Sequence, residues 1–401
     1  MKIAMVSEHA SPLATIGGAD AGGQNVHVAD LGAALVADGN DVHVYTRRDS
    51  PALPPVVTLP SGLHVHHVDA GPARFVEKDL LLPHMGAFAD RLALEFASAR
   101  YNVAHAHFWM SGMATIRAAR PLHLPVVHTY HALGVEKRRH QAAADTSPKE
   151  RIAHELDILR DAQRIVATSS SEVFELMRLG AEAPKLKIVP CGVDLPFFDG
   201  AHANSPRPRR ERHRIVTLSR LVPRKGVGDV IRALAHLPQT ELLVGGGAGD
   251  PSDAETRELR EIAQACGVAG RVVFLGRVER ADVPALLRSA DVVVCAAWYE
   301  PFGIVPLEAM ACSVPVVATA VGGQNDTVID GFTGYRVMPR EPLTIVTALR
   351  ALLASQSLRR SFGASGRRRV EERYSWVRIA RETERVYRGV RRVAARMDAT
   401  A

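Results

Sequence analysis

No stretch of this 401-residue chain approaches the 18 or more consecutive apolar residues that a membrane span needs. The sequence therefore predicts no transmembrane segment. Its four cysteines, Cys191, Cys266, Cys295 and Cys312, lie far apart and form no C-x-x-C. They read as small buried apolar residues of a reduced protein, not as a disulfide or zinc framework. Aromatic residues make up only 5% of the chain, and none interleave with the basic runs 207–214, 367–369 and 388–396. The formal charge of +7 thus reads as linker and helix faces and excludes a base-stacking nucleic-acid groove, although a basic face favours anionic substrates or a membrane surface. A G-x-G-x-x-G directly after a strand is also missing, which argues against a nicotinamide cofactor. The start, MKIAMVSEHA, reads as a first strand and not as a leader, because its apolar run is about four residues long. These absences predict a cytoplasmic protein without a nucleic-acid partner.

What is present is a pattern of short apolar strands alternating with helices, in a chain long enough for two domains. The stretch 291–334 carries most of the chemistry. Asp291 to Ala297 and Val314 to Thr319 read as buried parallel strands, separated by a loop holding Glu300 and a helix that begins near Gly303 and carries Glu308. Pro306 is tolerated in the first turn of that helix. Ligands of open α/β sheets bind at the carboxyl ends of the strands, where this loop and the following Gly322-Gly323 loop open.

The string Glu300-Pro-Phe-Gly, Glu308-Ala, Pro315-Val-Val-Ala-Thr and Gly322-Gly323 resembles the E-x7-E signature of retaining glycosyltransferases of family GT4. The resemblance implies a GT-B fold, two facing Rossmann-like domains with a central cleft. The expected boundaries are residues 1–198 for an acceptor-binding domain, 199–213 for a Pro/Ser/Arg-rich linker and 214–375 for a nucleotide-sugar domain. A helix over 376–401 would cross back to the first domain.

In the first domain a strand at Ile3 to Val6 is followed by a loop with Gly17, Gly18, Asp20, Gly22 and Gly23, then a helix from about Gln24 to Ala37. Glycines at a helix N-terminus let backbone N–H groups approach a phosphate. Within the family this loop is similar to the donor-diphosphate loop of sucrose-phosphate synthases and of the mycothiol-pathway inositol-phosphate N-acetylglucosaminyltransferases, which implies Gly23 as the diphosphate contact. His105 and His107 share a strand face and invite a zinc reading, but no Cys or carboxylate cluster completes a site, and the resemblance implies none. It does imply His131 beside the donor sugar, and Lys78 and Arg151 on an acceptor phosphate. Lys137 and Arg138 either add charge there or belong to a solvated basic face. Two departures, Phe108 for a family Tyr and Ala132 for a family Thr, remove hydroxyl donors worth about 1 to 3 kcal/mol each if uncompensated, so inositol phosphate is not carried over as acceptor.

In the second domain the resemblance puts Arg220 and Lys225 on the donor diphosphate, where leaving-group charge must be stabilised. It further implies Glu308 on the ribose, Glu300 with the Phe302-Gly303-Ile304 backbone on the sugar, and Arg277-Val278 facing the base. Catalytic roles fall to His131, Glu300, Lys225 and Arg220. The implied reaction moves a hexosyl or N-acetylhexosaminyl group from a nucleotide-diphosphate sugar, a UDP-sugar by the nearest resemblance, to a small hydroxylated acceptor, with or without a phosphate. No further cofactor and no metal is expected. A non-hydrolysing nucleotide-sugar epimerase and a catalytically silent nucleotide-sugar-binding protein remain open alternatives, and oligomeric state is not legible.

Overall fold

The computed structural model describes residues 1–13, 22–142, 145–199, 208–247 and 253–398. The glycine-loop positions Gly17, Gly18 and Asp20, and most of the expected linker, lie outside them. The chain forms two compact units, one comprising 1–192 with 376–401 and the other 193–375.

The first unit is built on β1 (Lys2–Val6), β2 (Asp41–Arg47), β3 (Val56–Thr58), β4 (His64–Val68), β5 (Val103–His107), β6 (Val126–Thr129), β7 (Arg164–Ala167) and β8 (Leu186–Ile188). Their order across the sheet is β3-β4-β2-β1-β5-β6-β7-β8. All neighbours are parallel except the short β3, which pairs antiparallel to β4. Because both faces are covered, strands such as Ile3-Ala4-Met5-Val6 are wholly apolar and fully buried instead of alternating. Order reverses at β1, whose neighbours are β2 and β5, so the crevice of this sheet opens where β1 and β5 end. The terminal helix Trp376–Asp398 belongs to this unit, where the Tyr387 hydroxyl lies 2.7 Å from Nδ1 of His105. Trp376 covers Gly192 so closely that a Cβ there would meet the indole at 2.5 Å.

The second unit contains β9 (His213–Leu218), β10 (Thr240–Gly245), β11 (Val272–Gly276), β12 (Val292–Cys295), β13 (Val316–Thr319) and β14 (Gly334–Val337), all parallel in the order β11-β10-β9-β12-β13-β14. Its reversal point is β9, between β10 and β12. Two details differ from the sequence expectation. Residues 195–198, expected at the end of the first domain, form with Asp199 the helix Leu195–Asp199 of the second unit, where Asp199 pairs with Arg367 at 2.6 Å. The basic run near residue 210 is partly structural: Arg214 lies in β9, 1% exposed and bonded to Glu241 at 2.8 Å, because a guanidinium with a matched carboxylate can be buried where a lone one cannot. The cysteines are all free, with Cys191 buried and the other three half-buried. No helix among the described residues is long and apolar enough to cross a membrane.

Candidate active site

In the second unit the chain leaves β9 into a loop with an exposed Arg220 and a buried Leu221, turns through Pro223–Lys225, and enters the helix Val227–Leu234 at Gly226. Gly226 has φ +66°, and a Cβ there would lie 2.0 Å from the Ala296 carbonyl oxygen. The Trp298 N–H donates to the Arg224 carbonyl at 2.7 Å, and its indole N–H to Asp229 at 2.8 Å. Glycine thus lets this cationic turn lie against the exit of β12. The result is a direct ion pair between Lys225 and Glu300.

Glu300 itself is held from the other side. The Gly323 N–H donates to the Glu300 carbonyl at 3.1 Å, and a Cβ on Gly322 (φ +46°) would meet that carbonyl oxygen at 2.0 Å. The loop after β13 therefore needs its glycines to seat the loop after β12. We expect Gly322→Ala to displace Glu300 and cut turnover at least tenfold while the first unit melts as before; unchanged turnover would show that the loop adapts. Burial alone would raise the Glu300 pKa, but the Lys225 ammonium, with Arg224 and Arg220 beyond it, holds it below the usual value. The carboxylate is therefore ionised at neutral pH. Cys295, at the end of β12, is pushed up to about 12 by burial and so stays a thiol.

Gly303 (φ +88°) caps the helix Ile304–Ala311, which carries Glu308. Glu308 is buried and forms an ion pair with Arg280, whose guanidinium also lies 4.8 and 5.0 Å from the ring centres of Phe197 and Phe198. Phe302 is buried and Ile304 half-buried, while Arg277 is exposed and paired with Glu279 at 3.0 Å, beside a half-buried Val278. Arg220, Lys225, Glu300, Gly303 and Glu308 thus all stand at or just beyond the carboxyl ends of β9 and β12. Arg280 was not singled out by the sequence, since nothing in its local spacing ties it to a glutamate 28 residues later. Its place in a loop after β11 was the one available signal.

The first unit assembles a different chemistry. The helix Gly23–Ala37 starts at an exposed Gly23, and Asn25 accepts from the Gly22 N–H at 2.9 Å while its own amide donates to Ser11. His131 follows β6 with φ +61°, and its Nε2 lies 3.0 Å from Nδ1 of His107. Together with His27 these residues offer three ring nitrogens within 4.8 Å of one another. His105, whose ring centre lies 4.1 Å from that of His107, has its own nitrogens engaged by Tyr387 and by Thr129 at 2.9 Å. Burial drives the pKa of His131 well below the ordinary imidazole value, with the neighbouring histidines adding to the shift. His131 is neutral and can only donate or accept one hydrogen bond per nitrogen.

Of the residues expected at an acceptor phosphate, Arg151, Phe108 and Lys137 are brought together in one neutralised patch. Arg151 is 2% exposed; it bonds Glu155 at 2.8 Å and the Ala132 carbonyl at 2.6 Å, and stacks on Phe108 with 5.1 Å from guanidinium to ring centre. Lys137 reaches Asp145 at 3.0 Å, Asp79 at 3.3 Å and Ser147 at 2.8 Å, and Ser147 also accepts from Arg151 at 3.2 Å. Lys78 is half-buried in the turn Lys78–Leu80, next to Asp79, and Arg138 is exposed on the helix Gly134–Gln141. Burial raises the Asp79 pKa, but the Thr146 hydroxyl and the Lys137 charge outweigh it and keep it low.

The buried histidines fix a pH dependence. Burial lowers His27 to about 4 and His128 to about 3, and lowers His105 and His107 well below 6.5. Below pH 6.5 the unfolded chain takes up protons that the folded one refuses, so stability falls with pH by up to about 1.4 kcal/mol per unit for each group. Glu172, raised to about 7 by burial, works the other way and offsets roughly one of them. We expect the melting temperature to drop by roughly 5 to 10 °C between pH 7 and 5.5. A flat profile by scanning calorimetry would show that these imidazoles are not held neutral.

Residues 21–197 match the family described as Glycosyltransferase Family 4, and residues 201–369 match Glycosyl transferases group 1. A protein of Xylanimonas cellulosilytica named D-inositol 3-phosphate glycosyltransferase is 37% identical, with 96% of each chain covered. One of the same name from Salinispora tropica is 35% identical over 96% of this chain and 85% of its own. Among solved structures, sucrose-phosphate synthase from Thermosynechococcus elongatus matches with a TM-score of 0.87 and 32% identity, covering 97% of this chain and 98% of that one. Anabaena HepE in complex with UDP and glucose shares the fold at TM-score 0.76 and 21% identity, over 97% and 100% of the two chains. Two parallel-sheet units of GT-B class, matched along nearly their whole length by named glycosyltransferases, show that this chain is a glycosyltransferase belonging to family 4.

Proposed function

We propose that the enzyme transfers a hexosyl or N-acetylhexosaminyl group, with retention of configuration, from a UDP-sugar to a small hydroxylated acceptor. The observation that carries this reading is the pairing of Lys225 with an ionised Glu300 where β9 and β12 end. A sugar presents hydroxyls that a carboxylate accepts, and a departing diphosphate presents the charge that an ammonium stabilises. Arg220 would share the diphosphate charge, Glu308 would take the ribose hydroxyls, and the Phe302-Gly303-Ile304 backbone the sugar. Arg277 and Val278 would meet the base. In the first unit Gly23, at a helix N-terminus, would offer backbone N–H groups to phosphate.

Retention would proceed by front-face transfer, since among the described residues no carboxylate is assigned as a nucleophile. The bond from the anomeric carbon to the diphosphate breaks, the acceptor oxygen bonds the same face, and the leaving phosphate oxygen takes the acceptor proton. His131, neutral and braced by His107, would orient a sugar hydroxyl and carry no charge into the step.

The names of the relatives make inositol 3-phosphate the first acceptor to test, but two observations speak for a different one. Phe108 and Ala132 offer no side-chain hydroxyl, and Asp79, Asp145 and Glu155 already neutralise Lys137 and Arg151. Lys78, in the turn Lys78–Leu80, and the exposed Arg138 would meet a phosphate by this reading. Titration with UDP, GDP and ADP identifies the donor base, and a panel of free and phosphorylated polyols with the matching donor identifies the acceptor. Retention is read from the product anomer by NMR; an inverted anomer sinks the mechanism. Conversion of donor without acceptor would establish an epimerase instead. With four free cysteines, the protein suits the reducing cytoplasm.

A further inference from the structure

At the opposite end of the first sheet lies a second cluster of nitrogen and oxygen donors that the transferase reaction does not use. β2 and β4 run parallel with His43 opposite His64 and Tyr45 opposite His66. Alternate strand residues share a face, so Asp41 and His43 of β2 meet His64 and His66 of β4 on one side of the sheet. These residues stand at the amino ends of their strands, away from the carboxyl ends that bear Ser7, Phe108 and His131.

We propose that Asp41, His43 and His64 bind a divalent transition-metal ion of zinc type. One ligand atom from each lies within 4.8 Å of the other two. The buried Nε2 of His43 is 2.9 Å from Oδ1 of Asp41, so a ring nitrogen and a carboxylate oxygen already stand together. Its other nitrogen, Nδ1, is 2.8 Å from Nε2 of His66. That is the outer contact that fixes the ring and tautomer of a ligating histidine. Nδ1 of His64 is likewise engaged, 2.9 Å from the Thr58 hydroxyl on β3, which leaves its Nε2 for a ligand. The His43 and His64 rings stack with centres 4.8 Å apart.

Tetrahedral ligand atoms at bonds of about 2.1 Å sit about 3.4 Å from one another, so the set needs only side-chain rotation to close. Two imidazoles and one carboxylate suit zinc or its neighbours and not the oxygen-seeking Mg2+ or Ca2+. Water would fill the fourth position, since Asp41 is exposed and open to solvent. One group opposes the ion: Lys2 Nζ lies 3.7 Å from Oδ2 of Asp41 and also sits over the Tyr101 ring.

The test is calorimetric titration of the chelator-treated full chain with ZnCl2, with the visible spectrum of bound Co2+ as a second readout. One ion should bind per chain. His43→Gln and His64→Gln should each weaken binding about tenfold or more, while UDP binding and transferase turnover stay unchanged. Lys2→Ala should tighten it by releasing Asp41. No binding by the wild type, or equal binding by both glutamine variants, overturns the proposal; the second result would place the ion elsewhere, at His27, His107 and His131. Melting curves for each variant separate lost ligation from lost folding.

Discussion

Replacing Glu308 with alanine should lower the affinity for UDP by about a hundredfold or more in a calorimetric titration. A carboxylate that accepts hydrogen bonds from two ribose hydroxyls contributes about 1.5 to 3 kcal/mol for each. Glu308 is buried on the helix Ile304–Ala311 and anchored by Arg280, so it is presented in one place and loses little entropy on binding. The same pairing supplies a competing explanation, because Glu308→Ala also strands the Arg280 guanidinium. The second variant, Arg280→Ala, separates the two. If Glu308 acts on the ligand, Arg280→Ala weakens UDP less than Glu308→Ala does. Equal losses in both variants, or a loss of less than threefold in Glu308→Ala, would make the glutamate a partner of Arg280 and nothing more.

Lys225→Ala should reduce kcat by on the order of a hundredfold, with a smaller effect on KM. An ammonium that meets leaving-group charge stabilises the transition state more than the bound donor, and one charge-assisted bond of about 1.5 to 3 kcal/mol converts to that range of rates. The substitution also removes the main charge that keeps Glu300 ionised against its burial. In the wild type the folded carboxyl titrates below its ordinary value, so the ion pair and the activity that depends on it are lost only in acid. In Lys225→Ala burial acts unopposed, the Glu300 pKa rises, and the acid limb of the pH–rate profile should move to higher pH. A variant with wild-type kcat, or with reduced kcat and an unmoved acid limb, would remove Lys225 from the reaction or from control of Glu300 respectively.

Much of the fold was legible because both sheets are parallel and covered on both faces. Such strands are short, unbroken apolar runs, and Ile3 to Val6, Val292 to Cys295 and Val316 to Ala318 announce themselves without tertiary information. Helix starts were legible where glycine or proline marks them, as at Gly303. The short β3 and the helix Gly134–Gln141 were not, since three residues carry no period and the sequence GVEKRRHQ has no apolar face to bury.

The sequence alone determined the family, the alternation of strand and helix, the loops that carry Glu300, Lys225 and His131 and the helix that carries Glu308, because each follows from local spacing along one chain. Tertiary structure decided which charges are already spent. Arg151 reads as an available cation until Glu155 and the Ala132 carbonyl are seen around it, and Lys137 until Asp79 arrives from 58 residues away. It also joined Arg280 to Glu308, and Asp41 and His43 to His64, through strand register and loop placement. The physical reason is the same in each case. A side chain's charge and pKa depend on what is packed within a few ångströms, and in a parallel α/β sheet those neighbours come from crossover connections that sequence spacing does not record.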